Sequence, residues 1–336
     1  MPRPRALLLF DLDADKTSLQ GLWLLLGVYL GALLVAAVLS PPIFWAVQAL
    51  AEQFPENGTL EYLAGKSFHD YYDRVRWLPI LVGLPWVLRL CKLTGLGALG
   101  LRFNRAERLG WLGFLGVGAG LFLIAILAQS LMAEVVRKPE RQEAFLPLTL
   151  LSMLPGAVII GILEEIVFRG LVLRIFLSAF RSSWLAVLLT AVFFATVHFK
   201  FPNPYWEGSG RVVEWHSGFY VALWTLLGPL AEADLSGFAP FFIASYVNYT
   251  LLGVVLGVLF VRSQSLLVCA GLHSGLVLAM LTYSKLYNVD AGSLHWLLGT
   301  TPLRDGFLAT GLLVILLVAL RCLPLPEAWT PANSKP

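Results

Sequence analysis

The feature that most constrains this chain is a recurring run of apolar residues about as long as a bilayer is thick. Leu19 to Leu39 carries no charged residue. A helix rising ~1.5 Å per residue needs ~20 such residues to cross a hydrocarbon core of ~30 Å. Comparable runs follow at Trp77 to about Leu90, Leu109 to Met132 and Gly156 to Phe180, the last approached by Phe145 to Leu154. Others lie at Trp184 to Phe199, Phe238 to Val261, Leu266 to Tyr283 and Phe307 to Leu323. Hydrocarbon offers no hydrogen bonds, so each crossing segment must satisfy its own backbone. The expectation is an all-α, polytopic transmembrane helical bundle of about eight spans. Gly218 to Leu230 is apolar but too short to cross comfortably, and reads as an additional interfacial or re-entrant segment. Pro41 and Pro42 are expected to end or kink the first span.

Composition removes other classes. The 336 residues are 58% hydrophobic and 13% charged, against ~25% charged in soluble domains. That excludes a soluble enzyme, a nucleic-acid binder and a disordered chain. A net charge of +3 implies no polyanionic partner. Cys91, Cys269 and Cys322 sit in apolar surroundings without a C-x-x-C spacing, so neither a disulfide framework nor a structural zinc site is expected. Asp11, Asp13 and Asp15 precede the first run, which argues for an uncleaved span rather than a signal peptide. Arg89, Lys92, Arg102, Arg105 and Arg108 form the strongest basic cluster. The positive-inside rule puts it in the cytoplasm, and with eight spans both termini follow, in a plasma membrane of bacterial type. The linker from Lys200 to Ser236 then lies outside. Its Tyr205, Trp206, Trp215, Tyr220 and Trp224 suit a headgroup-level belt.

Charges within apolar spans cost ~2.5–3.5 kcal/mol each on insertion scales, so those present demand a reason. Glu164, Glu165 and Arg169 fall near the middle of one run, His198 near the end of the next, and His273 inside a later one. Glu165 and Arg169, at i and i+4, share a face and read as a structural ion pair. Glu164 is rotated ~100° away, and its own i+4 neighbour is Phe168. No cation on its own helix neutralises it. Counted from the turn at Ser182, Glu164 is 18 residues back and His198 is 16 forward. On antiparallel straight helices both lie ~24–27 Å from the turn, at matching depth. A carboxylate and an imidazole meeting in a dry setting can hold and deprotonate a water, and a second histidine can donate to a developing oxyanion. This suits hydrolysis of an amide bond at or within the bilayer. Simpler readings stand beside it: either histidine as interhelical glue, Phe194 as packing, and His69, His216 and His295 as surface histidines. A transporter or proton relay would also use buried Glu and His, although no inverted repeat is evident. A non-catalytic membrane scaffold or immunity protein is the third class.

The three segments resemble motifs of the CPBP family, the CAAX proteases and bacteriocin-processing (Abi) proteins, and in particular the type II CAAX prenyl endopeptidases. They are Glu164-Glu165-Ile-Val-Phe-Arg169 with Gly170, Phe194-Ala-Thr-Val-His198, and a third motif beginning at His273. The resemblance covers roughly Leu150 to Tyr283. It implies an intramembrane endopeptidase in which Glu164 and His198 activate water, His273 helps form the oxyanion hole, and Glu165, Arg169 and Phe194 support them. Residues 145–323 would be the catalytic membrane core, 1–144 an N-terminal transmembrane region of three spans and 324–336 a polar tail. The implied substrate is a membrane-associated protein or peptide, lipidated or C-terminally anchored forms included, met in the lipid bilayer. No cofactor is favoured. If a divalent metal such as zinc binds, its ligands would be Glu164, His198 and His273. The third motif departs from the family pattern: Val277 stands where Asn or Asp is usual. Ser274, Asn248 and Tyr249 are candidates to replace it, unranked by sequence.

Overall fold

The computed structural model describes residues 19–324 except 94, 181, 199–211 and 232–239. The acidic segment before Leu19, the aromatic residues Tyr205 and Trp206, and the polar tail beyond 324 lie outside the described residues. The helices in chain order are α1 (Gln20–Gln53), α2 (Gly58–Ala64), α3 (Phe68–Val75), α4 (Trp77–Leu90) and α5 (Arg105–Met132). They continue with α6 (Leu146–Ala179), α7 (Ser183–His198), α8 (Ser217–Ala231), α9 (Pro240–Ser263), α10 (Leu266–Leu286) and α11 (Phe307–Cys322). Single helical turns occur at Leu96–Leu99 and His295–Leu298. A short antiparallel pair, β1 (Glu134–Arg137) and β2 (Tyr287–Asp290), sets Glu134 opposite Asp290 and Arg137 opposite Tyr287.

By length and composition, α1, α5, α6, α9 and α10 are long and apolar enough to cross a membrane. Three shorter apolar helices lie at Ser183–His198, Ser217–Leu227 and Phe307–Cys322. The chain is an integral membrane protein with a polytopic helical fold, as its apolar runs require. The 15 residues of α8 rise about 22 Å, short of the ~30 Å core.

The described residues form two compact units. One contains α1 to α4 and α8. Its core gathers Leu33, Ala36 and Ala37 of α1 with Phe68, Tyr72 and Val75 of α3 and Val221 and Ala222 of α8. The Tyr72 hydroxyl donates to Leu33 O at 3.1 Å and Trp45 Nε1 donates to Val213 O at 3.1 Å. Pro41 and Pro42 do not end α1, which runs through both to Gln53. The reason is local. Pro41 has no N–H for the Ala37 carbonyl, and Gly218 of α8 packs directly against that carbonyl, where a Cβ would collide with it. The helix is thus held by packing across the prolines.

The other unit holds α5 to α7, α9 to α11 and the β pair. Its axis is α10, buried without interruption from Leu266 to Leu278. A helix apolar all round is stable only when surrounded. Here α5, α6 and α9 pack against it. The α5 crossing is close because Gly271 and Gly275 of α10 lie against the backbone of Trp111 and Leu115, while Gly118 of α5 lies against Leu272. This is small-residue packing of the kind that lets membrane helices approach. The outer faces of α5 and α6 expose Leu109, Leu123, Leu127, Leu148, Leu151 and Ile159, as expected of surfaces solvated by lipid. At the start of α5, buried Glu107 accepts from Arg102 Nε at 2.8 Å and Ser265 Oγ at 3.0 Å, tying the N-termini of α5 and α10 together.

Helix α6 begins at Leu146, ten residues before the start expected from sequence, and passes through Pro155. Its last regular α-helical residue is Glu165. Ile166–Val172 then forms a π-helical turn before the α-helix resumes at Leu173.

Candidate active site

Four helices of the second unit supply the site. α6 brings Glu164, Glu165 and Arg169, α7 brings Phe194 and His198, α9 brings Tyr249, and α10 brings His273. Glu164 Oε2 lies 3.0 Å from His198 Nε2 and 3.6 Å from His273 Nε2. The equal depth expected for Glu164 and His198 therefore corresponds to direct contact, despite the π turn between Glu164 and the loop.

Glu165 faces the other way, as its neighbour's rotation demands. Its Oε1 accepts from Arg169 NH1 at 2.9 Å and from His273 Nδ1 at 2.8 Å. Arg169 NH2 donates to Gly253 O at 3.2 Å, and the guanidinium lies 5.1 Å from the Phe194 ring centroid. Glu165 and Arg169 are sealed, at 1% and 0% side-chain exposure, whereas Glu164 and His198 are each 19% exposed. One carboxylate is thus locked in the core and the other is partly exposed.

The hydrogen bonds restrict where protons can be. His198 Nδ1 lies 2.9 Å from Phe194 O. A carbonyl only accepts, so Nδ1 carries the hydrogen. Nε2 of a neutral His198 is then bare, and its contact with Glu164 needs a proton on one partner or the other. The pair holds one shared proton, as carboxylate with imidazolium or as acid with imidazole. His273 Nδ1 is likewise the donor, because the Arg169-paired Glu165 accepts. Its Nε2 can donate only when the ring carries both protons.

Aromatic rings hold His198 in place. Phe194 packs on it at 4.1 Å between centroids, and Tyr249 stacks on it at 5.7 Å with the planes 28° apart. Phe194, 1% exposed, also meets Phe168 edge-on at 4.9 Å. Its position between Arg169 and His198 makes it the wedge that spaces the ion pair from the histidine.

The residues considered as replacements at the third motif differ in what they are free to do. Val277 is buried beside Ala157 and Leu278. Asn248 Nδ2 donates to Gly306 O at 3.0 Å and Arg304 O at 3.3 Å, and its Oδ1 accepts from Thr310 Oγ1 at 2.7 Å. It anchors the loop before α11. Ser274 is buried with its hydroxyl turned onto Gly161 and no hydrogen-bond partner. Tyr249 remains, half-buried with its ring on His198. Sequence offers no spacing rule that would single it out, since it comes from a fourth helix.

The donor set has the composition of a two-histidine, one-carboxylate zinc site. Glu164 Oε2 faces Nε2 of both histidines, at 3.0 and 3.6 Å, and no metal-holding group of three or more His, Cys, Asp or Glu is found among the described residues.

Residues 146–279 match the family described as type II CAAX prenyl endopeptidase Rce1-like. That segment is similar to Rce1-like domains. The matched segment spans α6 to α9 and most of α10, and includes Glu164, Glu165, Arg169, Phe194, His198, Tyr249 and His273. Residues 19–145 and α11 lie outside it. No curated protein and no solved structure matches the chain.

Proposed function

We propose that this protein is an intramembrane endopeptidase that hydrolyses a peptide bond of a membrane-associated protein or peptide, using a water activated by Glu164 and His198. The observation that carries this reading is Glu164. It is a partly exposed acid with no cation from its own helix within hydrogen-bonding reach, held instead by imidazoles from two other helices. The Rce1-like match supports the reaction class, and the prenyl endopeptidase description of that family favours lipid-anchored chains with a nearby C-terminus as substrates.

A water seated on the Glu164–His198 pair attacks the carbonyl carbon as the pair takes up a proton. The carbonyl π electrons move onto oxygen. The C–N bond then breaks, and the leaving amine takes the proton back from the pair. Glu165 fixes His273 through Nδ1, and a doubly protonated His273 offers Nε2–H to the oxyanion. Arg169 holds Glu165 in place. No metal enters this scheme. The basic residues 89–108 set the cytoplasmic side, with both termini there, in a plasma membrane.

The test uses purified protein in detergent with a fluorescence-quenched, farnesylated peptide carrying a free C-terminus. Glu164→Gln and His198→Ala should each lower turnover by about 10²–10⁴-fold while thermal unfolding stays cooperative. Unchanged cleavage in either folded variant would refute the assignment. Proton flux in liposomes that depends on the same two residues, without cleavage, would establish a transporter instead.

A further inference from the structure

A tetrahedral intermediate formed beside Glu164 needs a hydrogen-bond donor on its oxyanion, and few side chains remain to give one. His198 uses both ring nitrogens, on Phe194 O and Glu164. His273 gives Nδ1–H to Glu165 and can offer Nε2 only when doubly protonated. Val277, one helical turn beyond His273, has nothing to donate. Asn248 is consumed by the loop before α11, and the Ser274 hydroxyl is turned onto Gly161. Tyr249 differs from all of these. Its ring is stacked on His198, its side chain is only half-buried, and its hydroxyl lies in the field of Glu164 and of Arg304 and Asp305. The Asn248 clamp on Arg304 O and Gly306 O fixes the helix position beside it.

We infer that the Tyr249 phenol is the second oxyanion donor of this enzyme, standing in for the polar side chain that Val277 lacks. The inference rests on the hydrolytic reading above. As the water oxygen bonds to the carbonyl carbon and its proton passes to the Glu164–His198 pair, the π electrons move to the carbonyl oxygen. The Tyr249 O–H donates to that oxygen and keeps its own proton throughout. When the C–N bond breaks, the carbonyl re-forms, the donor bond relaxes and the amine leaves with the proton from the pair. A phenol donates in its neutral state, so this contact requires no second protonation, unlike His273. Tyr249 is a catalytic residue in the strict sense, since its hydroxyl touches the reacting oxygen.

Tyr249→Phe removes the hydroxyl and retains the ring on His198. With the same farnesylated quenched peptide, kcat should fall about 10²–10³-fold, the usual effect of losing one oxyanion donor. KM should stay within about twofold, and the pH–rate profile should keep its shape. Introducing Val277→Asn into the Tyr249→Phe protein should recover at least tenfold of the lost kcat. Wild-type kcat in Tyr249→Phe overturns the inference. So does a displaced pH profile, which would mean that the tyrosine acts through His198. Glu164→Gln is run alongside. If Glu164→Gln is inactive while Tyr249→Phe is unaffected, only the tyrosine assignment falls. If Glu164→Gln cleaves like wild type, or wild type does not cleave at all, the hydrolytic reading falls and takes this inference with it.

Discussion

The sealed pair Glu165–Arg169 makes a sharp energetic prediction. Both side chains are essentially unexposed, and their charges meet at 2.9 Å. Replacing Glu165 alone with Met strands a guanidinium that retains only Gly253 O and the face of Phe194, and also deprives His273 Nδ1 of its acceptor. Replacing Arg169 alone with Met strands a carboxylate that retains only His273. Breaking a buried pair from one side costs about 3–5 kcal/mol, or roughly two to three and a half decades in the unfolding equilibrium. Replacing both partners removes two desolvated charges together, and such exchanges are often neutral. The Glu165→Met/Arg169→Met protein should therefore be more stable than either single variant, by at least about 2 kcal/mol. Denaturation of purified protein in mixed micelles, followed by tryptophan fluorescence, measures all four corners of the cycle. The double variant should still turn over slowly, because His273 has lost the group that orients it. If the double variant is destabilised by the sum of the two singles, the pair is not acting as mutually compensated buried charge and the argument fails.

Two further outcomes follow from the same geometry. Gly275→Leu should disrupt the α5–α10 crossing, since even a Cβ at that position collides with the Leu115 carbonyl; the variant should unfold well below wild type, and an unchanged melting temperature would show that the helices can separate without cost. Because the proposed scheme activates water with Glu164 and His198 alone, peptide cleavage should survive prolonged dialysis against a strong chelator, and loss of activity restored by zinc would contradict this.

Much of this arrangement can be read from the sequence, and its gaps have physical causes. The helical class follows from uncharged runs that only a self-satisfied backbone can carry through lipid. The meeting of Glu164 and His198 follows from counting back and forward from one tight turn, because rise per residue is nearly constant. Proline is where the reading is least sharp: Pro41 and Pro42 are expected to end or kink the first span and Pro155 to precede a helix, and all three lie inside helices. At Pro41 the helix is packed closely by Gly218, a residue 177 positions away that local sequence cannot reveal. The bond from His273 to Glu165 is equally illegible, since spacing puts His273 near both acids without saying which one it serves. Tyr249 is among the three candidates the sequence offers but cannot be ranked there, since a tyrosine in an apolar helix does not show which group its ring meets until the neighbouring helix places it on a histidine.

The π turn at Ile166–Val172 has a consequence for how this chain can change. Such a turn absorbs one surplus residue within an otherwise regular helix. Deleting any single residue there would yield a smoother helix of nearly the same composition. Because the wide turn takes up about one residue's rotation, the helical stretches on either side keep their phase when a residue other than Arg169 is lost from it, and both acids keep their neighbours. Loss of one residue from the regular stretch just before the acids has no such buffer and would turn them by roughly 100° relative to that stretch. For this helix, frame-preserving loss of one codon is far less damaging inside the π turn than outside it.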